Sequence, residues 1–505
     1  MGSRQSLHRS ERGALSVWFA IGLLPLVVAV GAAVDFSRHS AAKAKLASTL
    51  DAAALAAAGS PGLTAEQTRD LANRYVTANM LSYPGLSDLT VTVVSRDASV
   101  EVSGRAQIDT MFLGAAGIST LDVVATAEAM REVRGLEVAM VLDNTGSMLG
   151  NGGMVSMKDS AKELVNLLSG GDDFHPNLKI ALIPFVTAVN IRADGFSMNW
   201  IDQAAAARHH GENFDLNNGA RMSHLTLFDR LPNADWKGCV EMRAAPHDTT
   251  DTPPSIASPD TMFVPYFWPD EPTPGGSNMD YQNNYITNDR VSGTPAQRQR
   301  STVKYSFSAN VIDETPPDTM GPNKACGQPL TPLTNDRKRL LNDIDMMTGW
   351  NTSGTNNAAG IYWGWAVLSP NEPFANPTPY NSRDTRKAMI ILTDGENQIW
   401  GGWNSHNNSN YSGYGYLALN RLGVTTRDPA KGAIDARVTA LCNNIKATGI
   451  RIYTITFAVN APAIQQVFRN CASEPSLYFH SPGANDLRNA FRAIARDLSQ
   501  LRLSK

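Results

Sequence analysis

Cysteine is scarce in this chain: four in 505 residues, Cys239, Cys326, Cys442 and Cys471. None stands in C-x-x-C spacing, which argues against a zinc knuckle. An excess of charge of either sign is missing too. Lys and Arg number 44 against 47 Asp and Glu, a net charge of -3, so a nucleic-acid polyanion is not expected as the main partner. Marks of hydrolytic chemistry are thin. Ser147 sits in Asn144-Thr-Gly-Ser-Met, which lacks the G-x-S-x-G elbow, and has no histidine near it in sequence. A metallohydrolase would want His ligands or a nearby general base, and Glu396 alone is close to the stretch described next. An enzyme is therefore not expected. What is present is a hydrophobic fraction of 42%, enough for ordinary cores, and a length that implies two or three domains.

The organising stretch is Leu136 to Leu149, LEVAMVLDNTGSML. Its nearly continuous apolar run, broken by Glu137, reads as a strand buried on both faces of a parallel sheet. Asp143, Thr145 and Ser147 then follow at every second position, with Gly146 free to bend. One carboxylate and two hydroxyls make half a shell for a hard divalent cation. Taken alone, the pattern is rather that of a polar turn after a strand. Two later pieces bear on it: Lys387 to Thr393, KAMIILT, is a second buried-strand run ending on Asp394-Gly395, and Ser353-Gly354-Thr355 precedes the apolar helix NNAAGIYWGWAVL. Parallel strands with helical crossovers gather their carboxyl ends at one edge, where ligands bind.

In DNTGSM, SGT and LTDGE the chain resembles the von Willebrand factor type A (vWA) family and its metal-ion-dependent adhesion site (MIDAS). The resemblance covers Leu136 to the C-terminus, minus a large insertion. It implies Mg²⁺ (or Mn²⁺) touched by Thr145, Ser147 and Thr355, with Asp143 and Asp394 acting largely through water. It also implies a protein partner that offers an acidic residue to the metal. The rival readings are an envelope anchor with an unused metal site and a metal-dependent hydrolase.

Toward the N-terminus, residues 1–13 read as a polar cytoplasmic segment. Ala14 to Val34 runs 21 residues without a charge; as a helix it would span roughly 30 Å, so a membrane-crossing segment is expected at 14–34. A cleaved signal peptide is the competing reading. Residues 35–59 form an alanine-rich helical stem. The segment from Gly13 through Ala58, with Asp35 and the Leu50-Asp51-Ala-Ala-Ala-Leu-Ala stretch, resembles the start of TadE/TadG-like proteins of Flp (Tad) pilus assembly. Pilins of that system carry a glutamate five residues after the processing glycine. Trp18 stands there in this chain, which favours the permanently anchored TadG-like type. That resemblance implies a single-pass bacterial inner-membrane protein with its bulk in the periplasm, or one that reaches the cell surface, in contact with pilus or envelope components.

Residues 60–134 read as a small α+β spacer, with a helix over 65–80 and strands near 89–94, 99–104 and 121–128. Residues 135–505 then give the vWA part, so the expected fold class is α/β: a doubly wound, mostly parallel sheet (vWA/Rossmann-like) after one transmembrane helix and the spacer. Its insertion, about 192–330, is rich in Pro, Asn, Asp and aromatics and too long to be structureless. Two disulfides are expected, Cys239 with Cys326 inside the insertion and Cys442 with Cys471 about one strand. His209-His210 reads as a solvated loop. Trp400, Trp403 and the run NSHNNSNYSGYGY, at 404–416, read as either a recognition surface beside the metal edge or a floppy linker.

Overall fold

The computed structural model describes residues 12–60, 63–96, 99–130, 135–272, 280–287, 289–306, 310–351, 354–382 and 385–503. Residues 1–11 of the expected cytoplasmic segment therefore lie outside the described residues. The chain divides into two compact units, 1–133 with 503–505, and 134–502.

In the first unit, α1 (Arg12–Ala58) is one unbroken 47-residue helix. Helix α2 (Ala65–Met80) opens on a capping box between Thr64 and Gln67. Strands β1 (Leu86–Ser95), β2 (Ser99–Asp109) and β3 (Thr120–Met130) form an antiparallel sheet in that order. Small side chains on α1 let the helix lie close to the sheet: Ala42, Leu46, Leu50, Ala53 and Ala57 are buried against Val100, Val102 and Val123. The buried stripe of α2 is Thr68, Ala72, Val76 and Met80. Asp35 is also buried and accepts the backbone N–H groups of Met111, Phe112 and Leu113 at 2.8, 2.9 and 2.8 Å.

The membrane expectation does not hold. Among the described residues no helix is long and apolar enough to cross a membrane. Helix α1 continues through Asp35, Arg38, Lys43 and Lys45, as the expected stem does, and its later half packs on the small sheet. The single-pass inner-membrane placement with a periplasmic bulk falls with it.

The second unit is built on a six-stranded sheet. In chain order its elements begin with β4 (Gly135–Asp143), α3 (Gly153–Ser169) and β5 (Leu178–Phe185). After β6 (Val189–Asn190), the insertion contributes α4 (His224–Arg230), β7 (Cys239–Val240) and α5 (Pro295–Arg300). Then come β8 (Thr331–Thr334), α6 (Arg337–Asp345), β9 (Gly354–Thr355), α7 (Asn357–Leu368), β10 (Thr385–Thr393) and β11 (Gln398–Ile399). Last are α8 (Arg427–Ala447), β12 (Arg451–Phe457), α9 (Pro462–Cys471), β13 (Tyr478–Ser481) and α10 (Ala484–Leu503).

Strand order is β13-β12-β10-β4-β5-β8. The expected doubly wound, mostly parallel vWA sheet is corrected to a mixed one. Strand β8 runs antiparallel on β5, and two short antiparallel pairs, β6 with β7 and β9 with β11, lie outside the sheet. The insertion is the physical reason. A helical crossover returns the chain to the start of the sheet and gives a parallel neighbour, whereas the chain leaving β5 comes back along the same edge in the opposite sense.

Two cores fill the unit. Val138, Met140 and Leu142 face α3, α6 and α10, where Leu487, Phe491, Ile494 and Leu498 are buried. Ala139 and Val141 face α7 and α8. Helix α7 is buried all round, as an apolar helix between two layers must be. Gly360 and Gly364 allow its close approach: a Cβ there would lie 2.6 Å from Phe185 and 2.5 Å from Val141. Glu137, the one break in the first strand, pairs in register with Lys387 on β10, and the two side chains form a buried ion pair at 2.8 Å.

Both disulfides are formed, Cys239–Cys326 and Cys442–Cys471. They close loops with sequence separations of 87 and 29, each contributing about 4 kcal/mol in the chain-entropy model. Alkylation of the unreduced protein should label no cysteine by mass spectrometry; labelling at all four would contradict both bridges.

Candidate functional site

Parallel register sets the site. Leu142 on β4 lies opposite Leu392 on β10, so Asp143 and the pair Thr393-Asp394 leave the sheet side by side. Asp143 is fully buried. Its Oδ1 accepts from the Thr145 N–H at 2.8 Å and the Thr145 hydroxyl at 2.6 Å; its Oδ2 accepts from the Thr393 hydroxyl at 2.7 Å. The Thr145 and Ser147 hydroxyls are 3.0 Å apart, and Ser147 Oγ donates to Asp394 Oδ1 at 2.7 Å. Asp143, Thr145, Ser147 and Asp394 are therefore one continuous chain of oxygens.

Thr355 arrives from a third segment. The β9–β11 pair sets it opposite Gln398, four residues past Asp394. Gly354 makes that pairing possible, with φ +91° and a Cβ position that would run into the Gln398 carbonyl. At Gly395 a Cβ would lie 3.7 Å from Thr355 Oγ1 and 3.9 Å from Ser147 Oγ, so both hydroxyls border the same space. Ser353, the first residue of the SGT motif, lies outside the described residues. Sequence reasoning missed Thr393, which reads as the last residue of a strand. The register of the two apolar runs is the signal that would have found it.

The electrostatics follow from the packing. Burial pushes the Asp143 carboxyl above its ordinary value, against the hydrogen bonds from Thr145 and Thr393. Burial, with the Asp143 charge second, pushes Asp394 up to about 7, against the Ser147 hydrogen bond. Two carboxylates thus compete for one small volume, and a cation would relieve them. Every donor is oxygen, as Mg²⁺ and Mn²⁺ prefer. Spacings of 2.6 to 3.0 Å between neighbouring oxygens resemble the roughly 3 Å edge of an octahedron with bonds of about 2.1 Å. Among the described residues no three His, Cys, Asp or Glu gather in metal-binding fashion; the set is two carboxylates and hydroxyls. The residues present fit a hard cation.

A cleft of about 380 Å³ opens over the site, lined among others by Thr145, Ser147, Thr355, Asp318, Asn351 and Trp400. Asp318 comes from the insertion and accepts from Asn351 Nδ2 at 2.8 Å. Trp400 is 37% exposed, and the Trp403 ring meets it edge-on at 5.4 Å.

Most of the NSHNNSNYSGYGY run is packed into the fold and is not a floppy linker, with Asn404 and His406 exposed. Asn407, Ser409, Asn410, Tyr411, Tyr414 and Tyr416 are buried. The Tyr416 hydroxyl donates to buried Glu271 at 3.1 Å, and that of Tyr411 donates to buried Glu241. Nor is His210 solvated. It is fully buried, its Nδ1 lies 2.8 Å from Asp202 Oδ2, and its Nε2 accepts the His224 N–H at 2.8 Å. The second bond leaves a proton on Nδ1, where it faces Asp202.

Residues 13–60 match the family model of TadE/G-like Flp pilus-assembly proteins. No curated protein matches the chain. Among solved structures the chain is similar to the pilus adhesin SpaC of Lactobacillus rhamnosus GG, at 10% identity and TM-score 0.30 over 82% of this chain and 35% of that one. It spans about a third of that adhesin's length. The vWF domain of the type V pili tip protein Mfa5 of Porphyromonas gingivalis is similar at 10% identity and TM-score 0.34, over 74% of this chain and 97% of that one. Proximal thread matrix protein 1 of the mussel byssus is similar at 11% identity and TM-score 0.30, over 74% and 48%. The N-terminal segment of this chain is thus TadE/G-like.

Proposed function

We propose that this chain is a non-enzymatic, metal-dependent protein-binding module of Tad pilus assembly or surface adhesion. The observation that carries the reading is the unbroken path of oxygens from Asp143 through Thr145 and Ser147 to Asp394, with the Thr355 hydroxyl on the same space. The TadE/G-like segment at 13–60 supplies the pilus context. Thr145, Ser147 and Thr355 would hold Mg²⁺ or Mn²⁺, and Asp143 and Asp394 would offset its charge. Held by neutral hydroxyls, such an ion supplies an electrophilic centre that an acidic side chain of a pilus or envelope protein can reach. Asp143 keeps the Thr145 hydroxyl turned inward, and Gly395 leaves the approach clear. The cleft beside it, walled by Asp318 and Trp400, admits a side chain of the partner.

The test is direct. Titrating Mn²⁺ into the full chain and following the free ion by electron paramagnetic resonance should give saturable, single-site uptake. Asp143→Ala should abolish it while a cooperative melt remains. Equal uptake by the variant and the wild type would refute the reading, and no uptake by either would leave an anchor with an unused site.

A further inference from the structure

The loop that carries Asp394 is held from behind. Three residues of α8, Arg427, Lys431 and Asp435, are spaced four apart, so they form one stripe on the helix. Each meets a different part of the loop. The Arg427 guanidinium carbon lies 4.0 Å from the centre of the Trp403 ring and 5.6 Å from that of Trp400. Lys431 pairs with Glu396. Asp435 Oδ1 accepts from Asn397 Nδ2 at 2.7 Å.

Asn397 has a second set of bonds. Fully buried, it accepts through Oδ1 from the Asn357 N–H at 2.9 Å and from Asn357 Nδ2 at 3.1 Å. Asn357 is the first residue of α7, and its N–H belongs to the set that a helix leaves unpaired at its start. Asn356, the preceding residue, accepts from the Ala359 N–H in the ordinary capping manner. The start of α7 is therefore capped twice, once from its own chain and once by a residue of the Asp394 loop. Thr355 stands two residues before Asn357, and Asp394 three before Asn397. A carboxylate at 397 would face Asp435, and an apolar residue would leave Asp435 and the Asn357 N–H without their partner, so the amide is the group that satisfies both sides.

We propose that Asn397, braced by Asp435, is the positioning residue that holds the Asp394 carboxylate and the Thr355 hydroxyl at their mutual spacing. It acts on the metal reading of the site, and touches neither the ion nor the partner. Removing a group bonded directly to a metal ligand typically costs 10–100-fold in affinity; Asn397 stands one link further out, so the lower end, about 10-fold, is expected. Asn397→Ala and Asp435→Ala should each weaken Mn²⁺ binding by about that factor. The double variant should be no weaker than Asn397→Ala alone, because the two residues form one link. Asp435→Asn, which keeps an oxygen acceptor for Asn397, should bind Mn²⁺ close to wild type.

Melting curves in EDTA, run beside the titrations, separate a loss of packing from a loss of spacing. A merely structural role lowers the melt of all three alanine variants and leaves Mn²⁺ affinity where it was. That result, or strictly additive losses from Asn397→Ala and Asp435→Ala, would overturn the proposal while the metal reading stands. Absence of Mn²⁺ uptake by the wild type would remove both. Should Asn397→Ala fail to fold, the contrast between Asp435→Ala and Asp435→Asn still decides.

Discussion

Arg421→Met is expected to destabilise the second unit by about 3–5 kcal/mol, the usual consequence of leaving a buried charge without its partner. The Arg421 side chain is 2% exposed and that of Glu241 is not exposed at all. Arg421 donates from Nη1 to Glu241 Oε2 at 2.6 Å, and it also pairs with Glu212. Burial pushes the Glu241 carboxyl above its ordinary value even with the guanidinium in place. Without it, Glu241 keeps the Tyr411 hydroxyl as its remaining donor. A second change, Glu241→Gln, removes the stranded charge and keeps an acceptor for Tyr411, so the double variant should recover much of the loss. Urea denaturation of the four proteins measures both effects. A wild-type midpoint for Arg421→Met would mean that the network is solvated after all.

That network also shows where the sequence was legible. The central strands could be read because a strand buried on both faces writes itself as a continuous apolar run, and Val138 to Leu142 and Ala388 to Leu392 do so. The helix after Thr355 was legible for a similar local reason, its apolar run NNAAGIYWGWAVL containing the fully buried α7. Asp143, Thr145, Ser147, Thr355 and Asp394 were named from parallel strand ends together with the vWA resemblance, since the pattern alone is that of a polar turn, and the fold brings the five near one space.

The failures share a different physics. Tyr411 and Asn410 look like linker composition, yet they find partners far away in sequence: Glu241 is 170 residues from Tyr411, and Gln282 is 128 from Asn410. His210 looked solvated because Asp202 and His224 declare themselves as its partners only when the insertion folds. Periodicity carries no record of such pairings, since each polar residue is satisfied by another that no local pattern connects to it. The antiparallel β8 was hidden likewise, because the direction in which the chain returns depends on the path of the whole insertion. The apolar stretch at 14–34 gave a strong local signal, yet among the described residues no helix is long and apolar enough to cross a membrane.

The carboxylate pair makes the second large effect a pH dependence with a definite sign. An ordinary Asp releases its proton near 3.8, and Asp394 in the fold does so near 7. Between those values the folded state holds a proton that the unfolded chain has lost. Stability of the metal-free protein therefore falls as pH rises through this window and levels off above it. A difference of about 3 units at 1.36 kcal/mol each amounts to roughly 4 kcal/mol. Other buried carboxyls, such as Glu241 and Glu271, are shifted upward as well, so the comparison must isolate this residue. Asp394→Asn keeps an oxygen for the Ser147 hydroxyl and cannot ionise. In EDTA its stability relative to wild type should be nearly constant below pH 4, then climb by about 4 kcal/mol towards pH 7–8. Saturating Mn²⁺ should remove the part of the wild-type decline that Asp394→Asn lacks, because an ion bound to the ionised pair reverses the preference for the proton. A flat difference between the two proteins across this range in EDTA would show that Asp394 ionises in the fold as readily as in the unfolded chain, so that neither burial nor the Asp143 charge opposes it.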